Sequence, residues 1–248
     1  MKLFPAFLAV ALCFALPLRA GWWDDAWLDP ALLEAHSLEG GSGFIHVPSP
    51  QSLPPGLLTG AIHRYRAKLG RGFPLGLEAG FSVELEGWNM DEAEKRNLLY
   101  VRWAPLSPAR HGLGLAFGAE GVGFEDLGFG RLGYLPRVEL EADDRLYAVA
   151  GAPLPGLPMF YAAAGYSGGR RRPSGGMGVL AFAPFAGIVG LVEYDEQALN
   201  AGLRVLLSTQ IKLDLSLGDI LSLRTDRPFA DVLNNNLRFG VSYSERWP

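Results

Sequence analysis

The chain has 248 residues, of which 49% are hydrophobic and 19% charged, and a formal net charge of −4. Its 32 glycines and 18 prolines argue against a mostly helical protein, because both residues are costly in helix interiors. Low charge and 11% aromatic residues argue against disorder. The single cysteine excludes an internal disulfide framework and a cysteine-rich metal site, and the acidic balance leaves no footprint for nucleic acid.

Residues 1–20 read as a secretory signal peptide. Lys2 supplies the positive start, Leu3 to Leu18 is uncharged, and Ala20 is the small residue before cleavage. Lipidation at Cys13 is disfavoured by Leu12, since a small residue should precede such a cysteine. Cleavage removes that cysteine, so the exported chain is held by something other than disulfides. Residues 21–42 form an N-terminal segment, read as a short helix or a plug. Asp29 can cap a helix there and Pro30 suits its first turn.

From residue 43 onward the period is two. Strands are expected over about 57–67, 77–86, 97–104, 112–120, 132–142, 145–152, 158–166, 176–183, 187–194, 199–207, 211–217 and 237–243. In 77–86, Leu77, Ala79, Phe81, Val83 and Leu85 alternate with Glu78, Gly80, Ser82, Glu84 and Glu86. In 211–217, Ile211, Leu213, Leu215 and Leu217 oppose Lys212, Asp214 and Ser216. A strand sends each set to one face, whereas a helix would mix them. Residues 146–169 and 173–192 are uncharged, but their prolines and glycines favour hairpins over membrane helices.

A soluble sandwich also alternates. Three features favour a transmembrane barrel: one long apolar face per strand, opposite faces carrying charge of both signs, and aromatics at strand ends. Tyr65, Trp88, Trp103, Tyr134, Tyr166, Tyr194, Tyr243 and Trp247 fit girdles at two interfaces. Lipid offers no partner to an open sheet edge, so the sheet must close. The fold expected for residues 43–248 is a single transmembrane antiparallel β-barrel of about twelve strands. Its lumen-facing candidates are Glu84, Glu86, Arg102, Arg137, Glu139, Arg204, Lys212, Asp214 and Arg238. Near-balanced charge suits ion pairing inside, so the barrel is expected to be mostly closed, with residues 21–42 filling the remaining space.

Gly43-Phe44-Ile45-His46-Val47-Pro48-Ser49-Pro50, then Leu53-Pro54-Pro55-Gly56 and a strand, resembles the opening of the YjbH-type outer-membrane proteins. Gly123-Phe124-Glu125-Asp126-Leu127 resembles a second segment of that family. Glu193-Tyr194-Asp195 followed by Asn200-Ala201-Gly202-Leu203-Arg204 is similar to a third. The signature positions are Pro48, Gly56, Asp126, Glu193, Tyr194, Asp195, Asn200 and Gly202. The resemblance implies an outer-membrane barrel linked to exopolysaccharide production or export, surrounded by lipid. Its implied partners are the polysaccharide or periplasmic export components, and it brings no catalytic residue.

Enzyme motifs fail in context. Gly165-Tyr166-Ser167-Gly168-Gly169 matches G-x-S-x-G, but every histidine precedes Ser167 and a glycine-rich turn is the simpler reading. Gly128 to Gly133 matches G-x-G-x-x-G, but strand period follows it where a helix is needed. No histidine spacing suggests a metal, and no cofactor is expected. The function expected is non-enzymatic support of exopolysaccharide secretion or envelope assembly in the outer membrane. The alternative is a small passive porin. A third, an outer-membrane lipid hydrolase using His63, would need a Ser–His contact on the barrel wall.

Overall fold

Alternating apolar and polar residues become strand after strand in the computed structural model, which describes residues 43–63, 66–84, 97–124, 145–169, 174–185, 187–221 and 236–246. Among the described residues, twelve strands appear in chain order. They are β1 (Leu57–His63), β2 (Arg66–Phe73), β3 (Leu77–Glu84), β4 (Asn97–Leu106), β5 (Gly114–Phe124), β6 (Arg145–Leu154), β7 (Leu157–Gly168), β8 (Gly175–Phe185), β9 (Ile188–Asp195), β10 (Leu199–Leu206), β11 (Ile211–Leu217) and β12 (Leu237–Arg246). Each is antiparallel to its chain neighbour, and β12 pairs with β1 from Leu57↔Arg246 to His63↔Gly240, closing the barrel.

One expectation changes. The segment read as one strand over 57–67 is the start of a hairpin, with β1 ending at His63 and β2 beginning at Arg66. Arg71 hid β2, because it falls on the apolar side of the alternation. It lies near the end of the strand, with its guanidinium 5.8 Å from the Phe73 ring centroid, so the stem can lie along the wall while the charge reaches water. The strand expected over 132–142 lies outside the described residues, and β5 pairs directly with β6. Residues 1–42 and the candidates Glu86, Asp126, Arg137 and Glu139 also lie outside them.

Both uncharged stretches are hairpins, β6–β7 and β8–β9. No helix among the described residues is long and apolar enough to cross a membrane; the strands cross instead. Their outward set is exposed and apolar, including Leu69, Phe81, Val101, Leu180, Val192, Leu203, Leu213 and Phe239. Water would not tolerate so continuous an apolar belt on a monomer, whereas lipid requires it. One end of the barrel carries short connections at 74–76, 107–113, 155–156, 186–187 and 207–210. The other carries the longer ones at 85–96, 125–144 and 218–236. Outward aromatics fall near both ends: Phe73, Trp103, Phe117 and Tyr243 toward the short connections, Tyr166 and Tyr194 toward the long ones.

The first strand begins at Leu57, so residues 43–53 are not wall. They lie inside the barrel, with Phe44, Ile45, Val47 and Leu53 at most 3% exposed. A turn over Pro54 to Leu57, closed by Leu57 N–H donating to Pro54 O at 3.0 Å, leads this segment into β1. Gly56 supplies its left-handed φ of 79°, the requirement of a type II turn with proline before it.

Candidate functional site

An irregular stretch of backbone at membrane depth must have its N–H and C=O groups satisfied by the protein around it. Residues 43–48 form a tight loop, with Gly43 bridged to Pro48 and Phe44 N–H donating to Val47 O at 2.9 Å. The loop tip reaches toward the end with the long connections, and the chain returns through Gln51 and Leu53 toward the short-connection end. The backbone of this finger meets the wall at five charged side chains.

Glu193, inward on β9, accepts from three successive backbone groups: Ile45 N–H at 3.0 Å, His46 N–H at 2.6 Å and Val47 N–H at 3.2 Å. Consecutive N–H groups converging in this way form an anion-binding nest. Asn200, opposite Glu193 in register, donates to Glu193 Oε1 at 3.3 Å and to Asp195 Oδ2 at 3.0 Å. Asn200 Oδ1 accepts from Asp219 N–H at 2.9 Å, which fixes the amide orientation.

The guanidiniums take the carbonyls. Arg204 donates to Gly43 O at 3.0 Å and Phe44 O at 3.1 Å, while its Nε donates to Asp214 Oδ1 at 2.5 Å. Register sets Arg204 directly opposite Asp214. Arg145 donates to His46 O at 2.8 Å, and Arg102 donates to Gln51 O at 3.1 Å and to the Tyr147 hydroxyl at 2.8 Å. Glu78 accepts Leu53 N–H at 2.9 Å. The wall charges are themselves paired: Arg102 lies 3.7 Å from both Glu78 and Glu120, and Arg145 lies 3.8 Å from Glu120 and 2.5 Å from Glu196. Ser167 Oγ also donates to Glu196.

The finger's side chains pack on the wall formed by β6 to β9. Phe44, Ile45 and Val47 join one buried cluster with Tyr147, Val149, Tyr161, Met177, Val179, Val189 and Leu191. Phe44 and Tyr161 have ring centroids 6.1 Å apart. Gly202 makes the approach possible: a Cβ there would stand 2.9 Å from Ile45 Cδ1. Gly240 does the same for the His63 ring, which lies over its backbone.

The sequence candidates distribute as follows. Arg102, Arg204 and Lys212 are buried inside, and Asp214 and Arg238 are half-buried on the same side. Lys212 donates to Ser244 Oγ at 3.2 Å, and Arg238 lies against His46 Nε2. Glu84 pairs through its backbone with Arg66 on β2. Among the signature positions, Pro48, Glu193, Asn200 and Gly202 build the finger contact, and Asp195 braces it through Asn200. Tyr194 points outward and is exposed. Glu120, Arg145 and Glu196 are not among the sequence candidates. Glu78 stood in the inward alternation, but Arg145 and Glu196 border loops, where period two carries no signal.

His46, Glu193 and Asp195 bring ligand-type atoms within 4.8 Å of one another. The Glu193 oxygens already accept four donors. The Arg238 guanidinium against His46 Nε2 makes that nitrogen an acceptor and places the ring proton on Nδ1, so the set does not suit a cation. Ser242 Oγ lies 3.5 Å from His63 Nε2, and Asp214 Oδ2 lies 3.5 Å from the same nitrogen. A nucleophile relay engages the two ring nitrogens separately. This contact is also buried on the lumen side, away from lipid. Ser167 is no elbow either, since β7 runs through it to Gly168.

No family profile and no curated protein matches the chain. Among solved structures the chain is similar to a KdgM porin, with TM-score 0.44 and 12% identity, covering 75% of this chain and 98% of that one. It is similar to a KdgM porin in complex with disordered oligogalacturonate, with TM-score 0.43, 13% identity and coverage of 75% and 96%. It is also similar to a NanC porin, with TM-score 0.42, 12% identity and coverage of 75% and 98%.

Proposed function

We infer that this chain is a non-enzymatic outer-membrane channel of porin type, held closed by its own residues 43–53. The observation that carries the reading is the finger itself, with its backbone met by Glu193, Arg204, Arg145, Arg102 and Glu78 in the lumen. A segment serving only as filler could pack by apolar contact. One matched to the wall group by group occupies a defined position and blocks the path while it is there. Placement in an outer membrane is supported by the closed, lipid-belted barrel and by the secretory signal read in residues 1–20.

The test is conductance in planar bilayers. The wild-type chain should be nearly silent, and the full chain carrying Ile45→Asp and Val47→Asp should conduct, because two carboxylates cannot stay against the apolar wall. Steady, large conductance from the wild type would overturn the closed state. A silent variant with a correctly folded barrel would overturn the channel.

The exopolysaccharide reading is favoured by one further observation. Two of the three segments that carry the YjbH-type resemblance, 43–50 and 193–204, meet each other in the lumen through Glu193, Gly202 and Arg204. On this reading the channel serves polymer export. A producing cell that lacks the chain should then secrete less polymer, with recovery by the wild type and none by the finger variant. Unchanged secretion on deletion would remove this role and leave the channel.

A further inference from the structure

The lumen wall has two chemically different sides. From β6 to β9 its middle is apolar, with Val149, Tyr161, Val179, Val189 and Leu191 buried there, and Arg145 and Glu193 stand at the long-connection end of β6 and β9. The rest is ionic, but its ion pairs alternate in sign around the wall: Arg102 with Glu78 and Glu120, Arg145 with Glu120 and Glu196, Arg204 with Asp214. The resident finger matches both sides. It sets apolar side chains on the first and offers the second neutral amides, carbonyls to the guanidiniums and N–H groups to the carboxylates.

Resting on the channel reading above, we propose that the finger-free lumen binds an uncharged, hydroxyl-rich chain: an oligosaccharide without carboxylate, sulfate or phosphate groups. A sugar ring carries the same two chemistries as the finger. Its C–H face covers apolar and aromatic wall, and each hydroxyl both donates and accepts. Glu78 and Glu193 each lose backbone donors when the finger leaves. Hydroxyls replace those donors. An ionised carboxylate, sulfate or phosphate cannot, and it brings its own charge against Glu78, Glu120, Glu193 and Asp214. Arg102, Arg145 and Arg204 compensate little, because Glu78, Glu120, Glu196 and Asp214 already pair with them. Discrimination here comes from the penalty on the wrong ligand as much as from attraction to the right one.

The test uses the full chain with Ile45→Asp and Val47→Asp, which expels the finger and leaves every wall group native. Heat-dependent gel mobility checks that the barrel is folded. Maltohexaose and hexagalacturonate are then compared by titration calorimetry in detergent and by current block in bilayers. Maltohexaose should bind at least about tenfold more tightly than hexagalacturonate, and the wild type should bind it more weakly than the variant because the finger competes. Equal or tighter binding of the acidic hexamer, or no binding of either, overturns the proposal. A folded variant that binds maltohexaose but never conducts refutes the channel and leaves the lumen site standing. If the double variant does not fold, Phe44→Ser enters the same assays with the same criteria.

Discussion

Glu193 and Arg204 stand on the inner faces of adjacent strands and grip opposite polarities of one backbone loop. The carboxylate accepts the N–H groups of Ile45, His46 and Val47, and the guanidinium donates to the carbonyls of Gly43 and Phe44. Each is anchored from behind, Glu193 by Asn200 and Arg204 by Asp214. The loop is therefore held by groups that cannot easily turn away to another partner.

Glu193→Ala removes an acceptor shared by three backbone donors. Each buried donor left unsatisfied costs about 1–3 kcal/mol, and the finger can leave to recover hydration. The expected result is a lower thermal transition and a higher open probability in bilayers. Glu193→Gln should fall between, since the amide keeps one acceptor oxygen but turns donors toward donors. A variant as stable and as silent as the wild type would show that the nest is not what holds the loop.

Gly202→Ala should destabilise the closed state by on the order of 1 kcal/mol, because the new methyl presses on Ile45. Shortening Ile45 to alanine relieves that pressure at a cost of its own. In a double-mutant cycle the two changes should couple by about 0.5–1 kcal/mol. Strict additivity would mean that the pair does not touch in the working protein.

Glu120 lies between two buried guanidiniums, 3.7 Å from Arg102 and 3.8 Å from Arg145. Glu120→Gln leaves positive charge less compensated in a buried part of the lumen. Breaking one partner of a buried ion pair typically costs about 3–5 kcal/mol. Denaturant-dependent folding into vesicles measures it. A loss below 1 kcal/mol would show that water or neighbouring carboxylates screen this cluster; about 1 kcal/mol is the ceiling for solvated pairs.

Leu203 faces lipid on β10, one residue before the inward Arg204. Leu203→Arg should cost about 2–4 kcal/mol if the position lies near the bilayer midplane. Cysteines at Leu203, Leu213 and Phe239 should resist a water-soluble thiol reagent in vesicles. Rapid labelling of all three would contradict the lipid belt.

Side-chain direction was legible in the sequence because it is local. The alternation of Leu213 and Leu215 with Lys212 and Asp214 sends one set to lipid and the other inward on any strand, whatever its neighbours. The two uncharged stretches read as hairpins for the same reason, since proline and glycine act on their own backbone. Legibility ended where the pattern was broken or absent. Arg71 interrupted the alternation of β2, so the first hairpin read as one strand. Gly43 to Leu53 has no period at all, and only a family likeness marked it. What that segment does depends on partners far along the chain: His46 meets Glu193 at a separation of 147 residues and Gly43 meets Arg204 at 161. No local rule links such positions. Barrel closure sets the register, the register aims Glu193 and Arg204 at one point, and only there can the polar groups of an irregular backbone be satisfied out of water. The sequence by itself therefore determined a lipid-facing barrel with a charged interior. The tertiary structure decided that this interior is occupied, and by which residues.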